Sequence, residues 1–84
     1  MIFLNREEIE AAISLDEIMD EIERAYTIYR EKKYVMPDRI TVENGAKTLQ
    51  YMPCFIEDQF ATKCITIFPE NRALGKPTID GVVL

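Results

Sequence analysis

Apolar residues recur along this chain with two different periods, and the change of period divides it. Between Leu15 and Tyr29 they fall at Leu15, Ile18, Met19, Ile22, Ala25, Tyr26 and Tyr29, the i, i+3, i+4, i+7 stripe of an amphipathic helix packed on one side. Ser14 opens this helix with Glu17 three residues on, a capping box, and neither Pro nor Gly interrupts the pattern before Met36-Pro37. Asp16 and Glu17 at its start and Arg30, Lys32 and Lys33 at its close have the order that the helix dipole favours. A shorter helix precedes it, capped by Asn5 with Glu8 and carrying Ile9, Ala12 and Ile13 on one face. Ile2-Phe3-Leu4 ahead of that reads as a short edge strand.

From Arg39 the period shortens to two. Arg39-Ile40-Thr41-Val42 begins a strand, Asn44-Gly45 is the signal of a type I′ hairpin turn, and Thr48 to Ile56 returns as the partner strand. Pro53 removes one ladder donor from that strand and predicts either a bulge or an unpaired edge. Glu57-Asp58-Gln59 turns the chain into a strand from Phe60 to Phe68, with Ala61, Lys63, Ile65 and Ile67 on one face and Thr62, Cys64, Thr66 and Phe68 on the other. A polar loop rich in backbone-setting residues, Pro69-Glu70-Asn71-Arg72 through Gly75-Lys76-Pro77-Thr78, leads to a last apolar run ending at Leu84. The predicted class is α+β: two N-terminal helices packed on a small, mostly antiparallel sheet of about four to five strands.

Composition narrows the function. A chain of 84 residues with formal charge −5 is one small domain without the clustered cations that a phosphate backbone requires. No run approaches the ~20 apolar residues of a membrane span, and the N-terminus lacks the pattern of a signal peptide. A cytoplasmic protein is expected. Histidine is absent, which removes Ser-His and Cys-His pairs and His-ligated metal sites from these residues. Cys54 and Cys64, the two cysteines, form no C-x-x-C and read as reduced thiols packed as small apolar groups. The outward carboxylates Asp16, Asp20 and Glu23 lack the Glu-x-x-His partners of a carboxylate-bridged metal site and read as a solvated face.

Two cations stand out. Lys63 lies among aliphatic residues on its strand, where it either packs its stem with the ammonium reaching water or, partly desolvated, faces an anion or a carbonyl carbon. Arg39 either pairs with Asp38 or Glu43 or clamps a carboxylate with two hydrogen bonds. Neither choice is settled by the residue alone.

Taken in order, "SLDEIMDEIERAYTIYREKKY", "VMPDRI", "LQYMPCF" and "TKCITIFPENRALGKPTIDGVVL" resemble the N-terminal region of the ornithine cyclodeaminase and mu-crystallin family. The most specific stretch is Lys63 to Gly81, a strand lysine followed by Phe-Pro-x-Asn, a Gly-x-Pro-Thr turn and Gly-Val-Val. The resemblance implies a two-domain enzyme with a substrate and dimerisation domain and a Rossmann domain holding NAD. It implies hydride chemistry on amino acids and imines: ornithine converted to proline and ammonia, a lyase reaction of proline biosynthesis, or alanine dehydrogenase, ketimine reductase or diamino-acid chemistry.

By the same resemblance, Arg39 matches the basic residue that binds the substrate carboxylate. Lys63 matches the strand lysine that contacts the carboxylate and the reacting imine region, and is the catalytic candidate. Thr78 matches the turn threonine lining that pocket. Gln50 falls where alanine dehydrogenase-like members carry arginine, which weakens that assignment.

The dinucleotide fingerprint G-x-G-x-x-G is absent, with Gly45, Gly75 and Gly81 far apart. Residues 1–84 are therefore expected to be a single N-terminal substrate-binding and dimerisation domain without its Rossmann partner, truncated at Leu84, inactive by itself and binding no cofactor alone. A homo-oligomer through the sheet is expected, since an unpaired edge favours pairing with another copy. The other reading is a non-catalytic, mu-crystallin-like binding or dimerisation module.

Overall fold

The computed structural model describes residues 1–84, which divide into a helical unit, Met1–Lys33, and a sheet unit, Tyr34–Leu84. In the first, α1 spans Arg6–Ala12 and α2 spans Leu15–Arg30. Both capping boxes form. The Glu8 amide donates to Asn5 Oδ1 at 2.9 Å while the Asn5 amide donates to Glu8 Oε2 at 2.8 Å. The Glu17 amide donates to Ser14 Oγ at 3.2 Å, and the Ser14 amide returns the bond to Glu17 at 3.4 Å. Each pair satisfies donors that a helix start otherwise leaves open.

The end of α2 has a cause that composition does not reveal. Lys32 takes a φ of +57°, its amide donates to the Tyr29 carbonyl, and the Lys33 amide donates to the Ile28 carbonyl, both at 3.1 Å. These bonds make a Schellman close with lysine in the left-handed position that glycine usually fills. The expected apolar stripe is largely exposed within the chain: Leu15, Met19, Ile22, Tyr26 and Tyr29 are 50–72% accessible. The one buried residue is Ile28, which lies off that stripe. Ile2-Phe3-Leu4 is not a strand; no other strand pairs with it, and three apolar residues directly ahead of a helix cap have no ladder to join.

The second unit is a four-stranded antiparallel meander, β1 Ile40–Asn44, β2 Lys47–Ile56, β3 Gln59–Ile67 and β4 Ile79–Val83, in the order β1-β2-β3-β4. The chain is thus α+β, with two N-terminal helices and a four-stranded antiparallel sheet. The first hairpin differs from the expected turn. Its pairing Asn44↔Lys47 makes Gly45 and Ala46 the central residues, and only Gly45, at φ +60°, is left-handed. Glycine at the first central position is the signature of type II′ rather than I′.

On the β3 side the pairing runs unbroken through Pro53↔Thr62; on the other side residues 36–39 face residues 52–54 between the Val35↔Phe55 bridge and the Ile40↔Tyr51 pair, one residue more than the ladder would take. Phe55, two residues on, exchanges both backbone hydrogen bonds with Val35 at 2.9 Å. Amides two apart on a strand point the same way, so the missing donor of Pro53 faces the gap between that bridge and the end of β1. The proline thus occupies an unpaired stretch of edge. Cys54 and Cys64 are free. Their register partners, Ala61 and Tyr51 respectively, put the two thiols on opposite faces of the sheet.

Candidate functional site

Register decides which polar side chains share a face. Met52 pairs with Lys63, and Lys63 with Val83. The β1–β2 register ends at Ile40↔Tyr51, and the bridge Val35↔Phe55 lies one residue out of that register, so Arg39 stands at the edge of β1 with no ladder partner. One cross-strand row reads Met52, Lys63, Val83, with Arg39 at the end of β1 nearest to it. The next row on that face is Thr41, Gln50, Ile65, Gly81. Adjacent strands lie about 4.8 Å apart, which places the β1 and β3 backbones roughly 10 Å apart across β2.

Both cations stand at exposed positions, and Met52 opposite Lys63 is half-buried. Neither forms an ion pair; salt bridges join other residues, among them Arg6–Glu10, Arg24–Glu21, Lys33–Glu31 and Lys47–Glu70. The surface pairing of Arg39 with Asp38 or Glu43 is therefore not formed. Two unneutralised cations can hold a small anion, with a planar guanidinium suited to a carboxylate edge and a point-charge ammonium beside it. Met52 is the member of this row that the sequence reading passed over. The signal was present, because two-residue loops after Asn44 and Ile56 fix which residues lie beside Lys63.

Thr78 is placed elsewhere. It stands one residue ahead of β4, where its carbonyl accepts from the Phe68 amide at 2.7 Å, and the register continued from Ile67↔Ile79 sets it opposite Phe68. Phe68 shares the other face with Lys47, whose ammonium lies 5.4 Å from the ring centre. Along β4, Thr78 is five residues from Val83, or roughly 17 Å. Within these residues Thr78 lies on the face of the sheet opposite to Lys63.

That other face carries Ile40, Val42, Tyr51, Phe55, Phe60 and Val82, all 39–68% accessible, beside Lys47, Thr66 and Asp80. A shallow open groove of about 270 Å³ on it is lined by Cys64, Thr66, Asp80, Gly81 and Val82. The three glycines serve local needs. Gly45 turns the first hairpin, Gly75 closes the 3-10 turn Pro69–Leu74 at φ +67°, and Gly81 sits inside β4. None stands between a strand and a following helix. No helix is long and apolar enough to cross a membrane.

The whole chain, residues 1–84, matches the ornithine cyclodeaminase/mu-crystallin family. It belongs to that family. Among curated relatives, alanine dehydrogenase of Archaeoglobus fulgidus is 30% identical over 83 residues, 99% of this chain and 26% of that protein. Delta(1)-pyrroline-2-carboxylate reductase of Bacillus cereus is 25% identical over 88 residues, all of this chain and 27% of that protein. Solved structures agree. An archaeal alanine dehydrogenase dimer with bound NAD superposes with a TM-score of 0.81 at 31% identity, covering 96% of this chain and 25% of that one. Delta(1)-pyrroline-2-carboxylate reductase of Thermococcus litoralis, in complex with NADH and L-proline, superposes at 0.83 and 31% identity, covering 100% and 27%. The chain spans about a quarter of the length of the relatives it matches.

Proposed function

We propose that this chain is the substrate-carboxylate portion of an NAD-dependent enzyme acting on amino acids and their imines. The observation that supports the reading is a pair of cations without ion-pair partners, Lys63 opposite Met52 on β3 and Arg39 at the edge of β1 one residue ahead of the Ile40↔Tyr51 pair. Arg39 binds the carboxylate, Met52 supports the apolar carbon next to it, and Lys63 donates to the carboxylate and to the reacting imine region. Thr78 is assigned to the pocket by the family resemblance alone, since in this chain it lies opposite Phe68 on the other face of the sheet. The ligand of one similar structure, L-proline, and the substrates named for the relatives, alanine and pyrroline-2-carboxylate, all carry the carboxylate that such a pair would take.

Ornithine cyclodeamination is the narrower form of the proposal; Gln50 on the neighbouring row weakens the alanine dehydrogenase form without selecting ornithine. Residues 1–84 act here by binding and orienting the substrate, and NAD is assigned to a separate dinucleotide-binding domain. Homo-oligomerisation is part of the reading, favoured by the apolar residues exposed on the face of the sheet opposite to Lys63. The same face favours the second reading, a mu-crystallin-like binding or dimerisation module that keeps the two cations without catalysis.

The test is ligand binding by calorimetry with the protein that carries this chain, comparing L-proline and L-alanine with their carboxamides. The acids are expected to bind at least ten-fold more tightly than the amides, with an advantage that shrinks as salt rises. Equal binding of acid and amide would remove the carboxylate assignment. NAD-linked turnover then separates the enzyme from the non-catalytic module.

A further inference from the structure

We propose that Asn44-Gly45 is a site of spontaneous modification, at which the Gly45 nitrogen attacks the Asn44 carboxamide and residue 44 becomes aspartate or isoaspartate. The inference is independent of the carboxylate reading and rests on the first hairpin alone.

Asparagine is a chemically labile residue, and a folded chain protects it by engaging its carboxamide or by covering the nitrogen that follows. The three asparagines differ in both respects. Asn5 Oδ1 accepts from the Glu8 amide at 2.9 Å, Asn71 Nδ2 donates to the Pro77 carbonyl at 3.0 Å, and arginine follows each of them. The Asn44 side chain and the Gly45 amide make no hydrogen bond, and both residues are exposed. No atom lies within 4 Å of where a Gly45 side chain would stand, so the nitrogen is approached through open solvent. Asp80-Gly81 repeats the spacing, but Asp80 is held in the ladder opposite Thr66 and its carboxylate has no ammonia to lose.

The step needs no reactant except water. A bond forms from the Gly45 nitrogen to Asn44 Cγ, the Cγ–Nδ2 bond breaks, and Nδ2 leaves as ammonia with the proton that the Gly45 amide gives up. Water then opens the cyclic imide, at Cγ to give aspartate or at the main-chain carbonyl carbon to give isoaspartate. Ring closure requires Asn44 to leave the extended conformation, so the last β1–β2 pair, Asn44↔Lys47, must open. All of β1 is exposed and no strand covers its outer side, so local opening there costs little. Both products change the hairpin. Aspartate puts a carboxylate opposite Lys47, whose ammonium is held by Glu70 at 3.0 Å, and an opposite charge across the ladder competes for it. Isoaspartate adds a methylene to the main chain of a two-residue loop, which loosens β1 from β2.

The experiment incubates the protein that carries this chain at mildly alkaline pH and follows the tryptic peptide 40–47, released by cleavage after Arg39 and Lys47. The readouts are mass spectrometry and methyl transfer by a purified isoaspartate methyltransferase. Peptide 40–47 is expected to gain the mass of an amide-to-acid change about ten-fold faster than the peptides holding Asn5 and Asn71, whose carboxamides must first give up a hydrogen bond. It is expected to become a methyl acceptor, and its conversion to quicken with pH because the Gly45 nitrogen must lose its proton. Asn44→Ser is expected to abolish both signals. Hydrogen exchange at the β1 amides is expected to rise as the wild-type protein converts, with the β2–β3 amides unchanged.

An unmodified Asn44, conversion only in denaturant, or equal rates at all three asparagines would overturn the proposal. Unchanged β1 exchange in converted protein would overturn its consequence for the hairpin. If Asn44→Ser fails to fold, the peptide map of the wild-type protein decides, because it reads residue 44 directly.

Discussion

Replacing Lys63 by methionine separates a binding role from a structural one. Lys63 pairs across the ladder with Met52 and Val83, so a methionine keeps an unbranched stem beside apolar neighbours and removes only the charge. Because the position is exposed and the ammonium has no ion-pair partner, no buried charge is left alone by the change. The fold is therefore expected to stand, within the ~0.5 kcal/mol typical of surface substitutions.

Binding should respond differently. A hydrogen bond to a charged group contributes about 1.5–3 kcal/mol, and two unit charges 4 Å apart gain about 1 kcal/mol in water and about 4 kcal/mol at the effective dielectric of a protein surface. Exposure puts Lys63 at the low end, about 1.5 kcal/mol, or roughly ten-fold in Kd. Calorimetric titration of the wild-type protein and Lys63→Met with L-proline or L-alanine measures this, with a thermal melt as control. A Kd within two-fold of wild type would refute the assignment of Lys63 to the carboxylate. A melt lowered by many degrees would show that the lysine holds the sheet instead.

Two further outcomes follow from backbone geometry. A Cβ at position 81 would lie 2.6 Å from both the Cys64 carbonyl oxygen and Ile65 Cγ2, so Gly81→Ala should cost about 1–3 kcal/mol as β4 shifts from β3; an unchanged melting temperature would contradict the tight packing there. Lys32 holds a left-handed φ of +57° that costs a non-glycine residue about 1–2 kcal/mol, so Lys32→Gly should raise the melting temperature, and a lowered one would show that the Schellman close does not set the end of α2.

The parts of the fold that sequence disclosed are those with local causes. Both helix starts were legible because Asn5 with Glu8 and Ser14 with Glu17 are self-contained capping boxes. The alternating face of β3 was legible because a period of two needs no partner to define it. What escaped depends on context. The close of α2 uses a lysine where pattern reading looks for glycine. The role of Pro53 depends on how far β1 extends. The burial of Ile28 rather than the Leu15–Tyr29 stripe depends on surroundings that helical periodicity does not encode. At the site, the chemistry of Arg39 and Lys63 was visible residue by residue, but their placement in the sheet required the register of two successive hairpins, and the resemblance that added Thr78 carries no distance.

Register is also what gives this small sheet a function to lose. Because side chains alternate, a slip of one residue between β2 and β3 would carry Lys63 to the other face of the sheet. Several features oppose such a slip. The two-residue loops after Asn44 and after Ile56 leave no slack, and Gly45 supplies the left-handed residue that the first of them needs. Gly81 admits β4 against Ile65 only in the register where no Cβ is present. Pro53 lies where its missing donor faces unpaired edge, and a shift in its pairing with β1 would bring it into the ladder with a bond lost. None of these residues carries charge to a substrate, yet together they fix the face of Lys63 and its distance from the end of β1 that bears Arg39. The substitutions most damaging to carboxylate binding should therefore include Gly45 and Gly81 as well as the two cations. The cause distinguishes the classes: the glycine variants lose stability and affinity together, whereas Lys63→Met loses affinity alone.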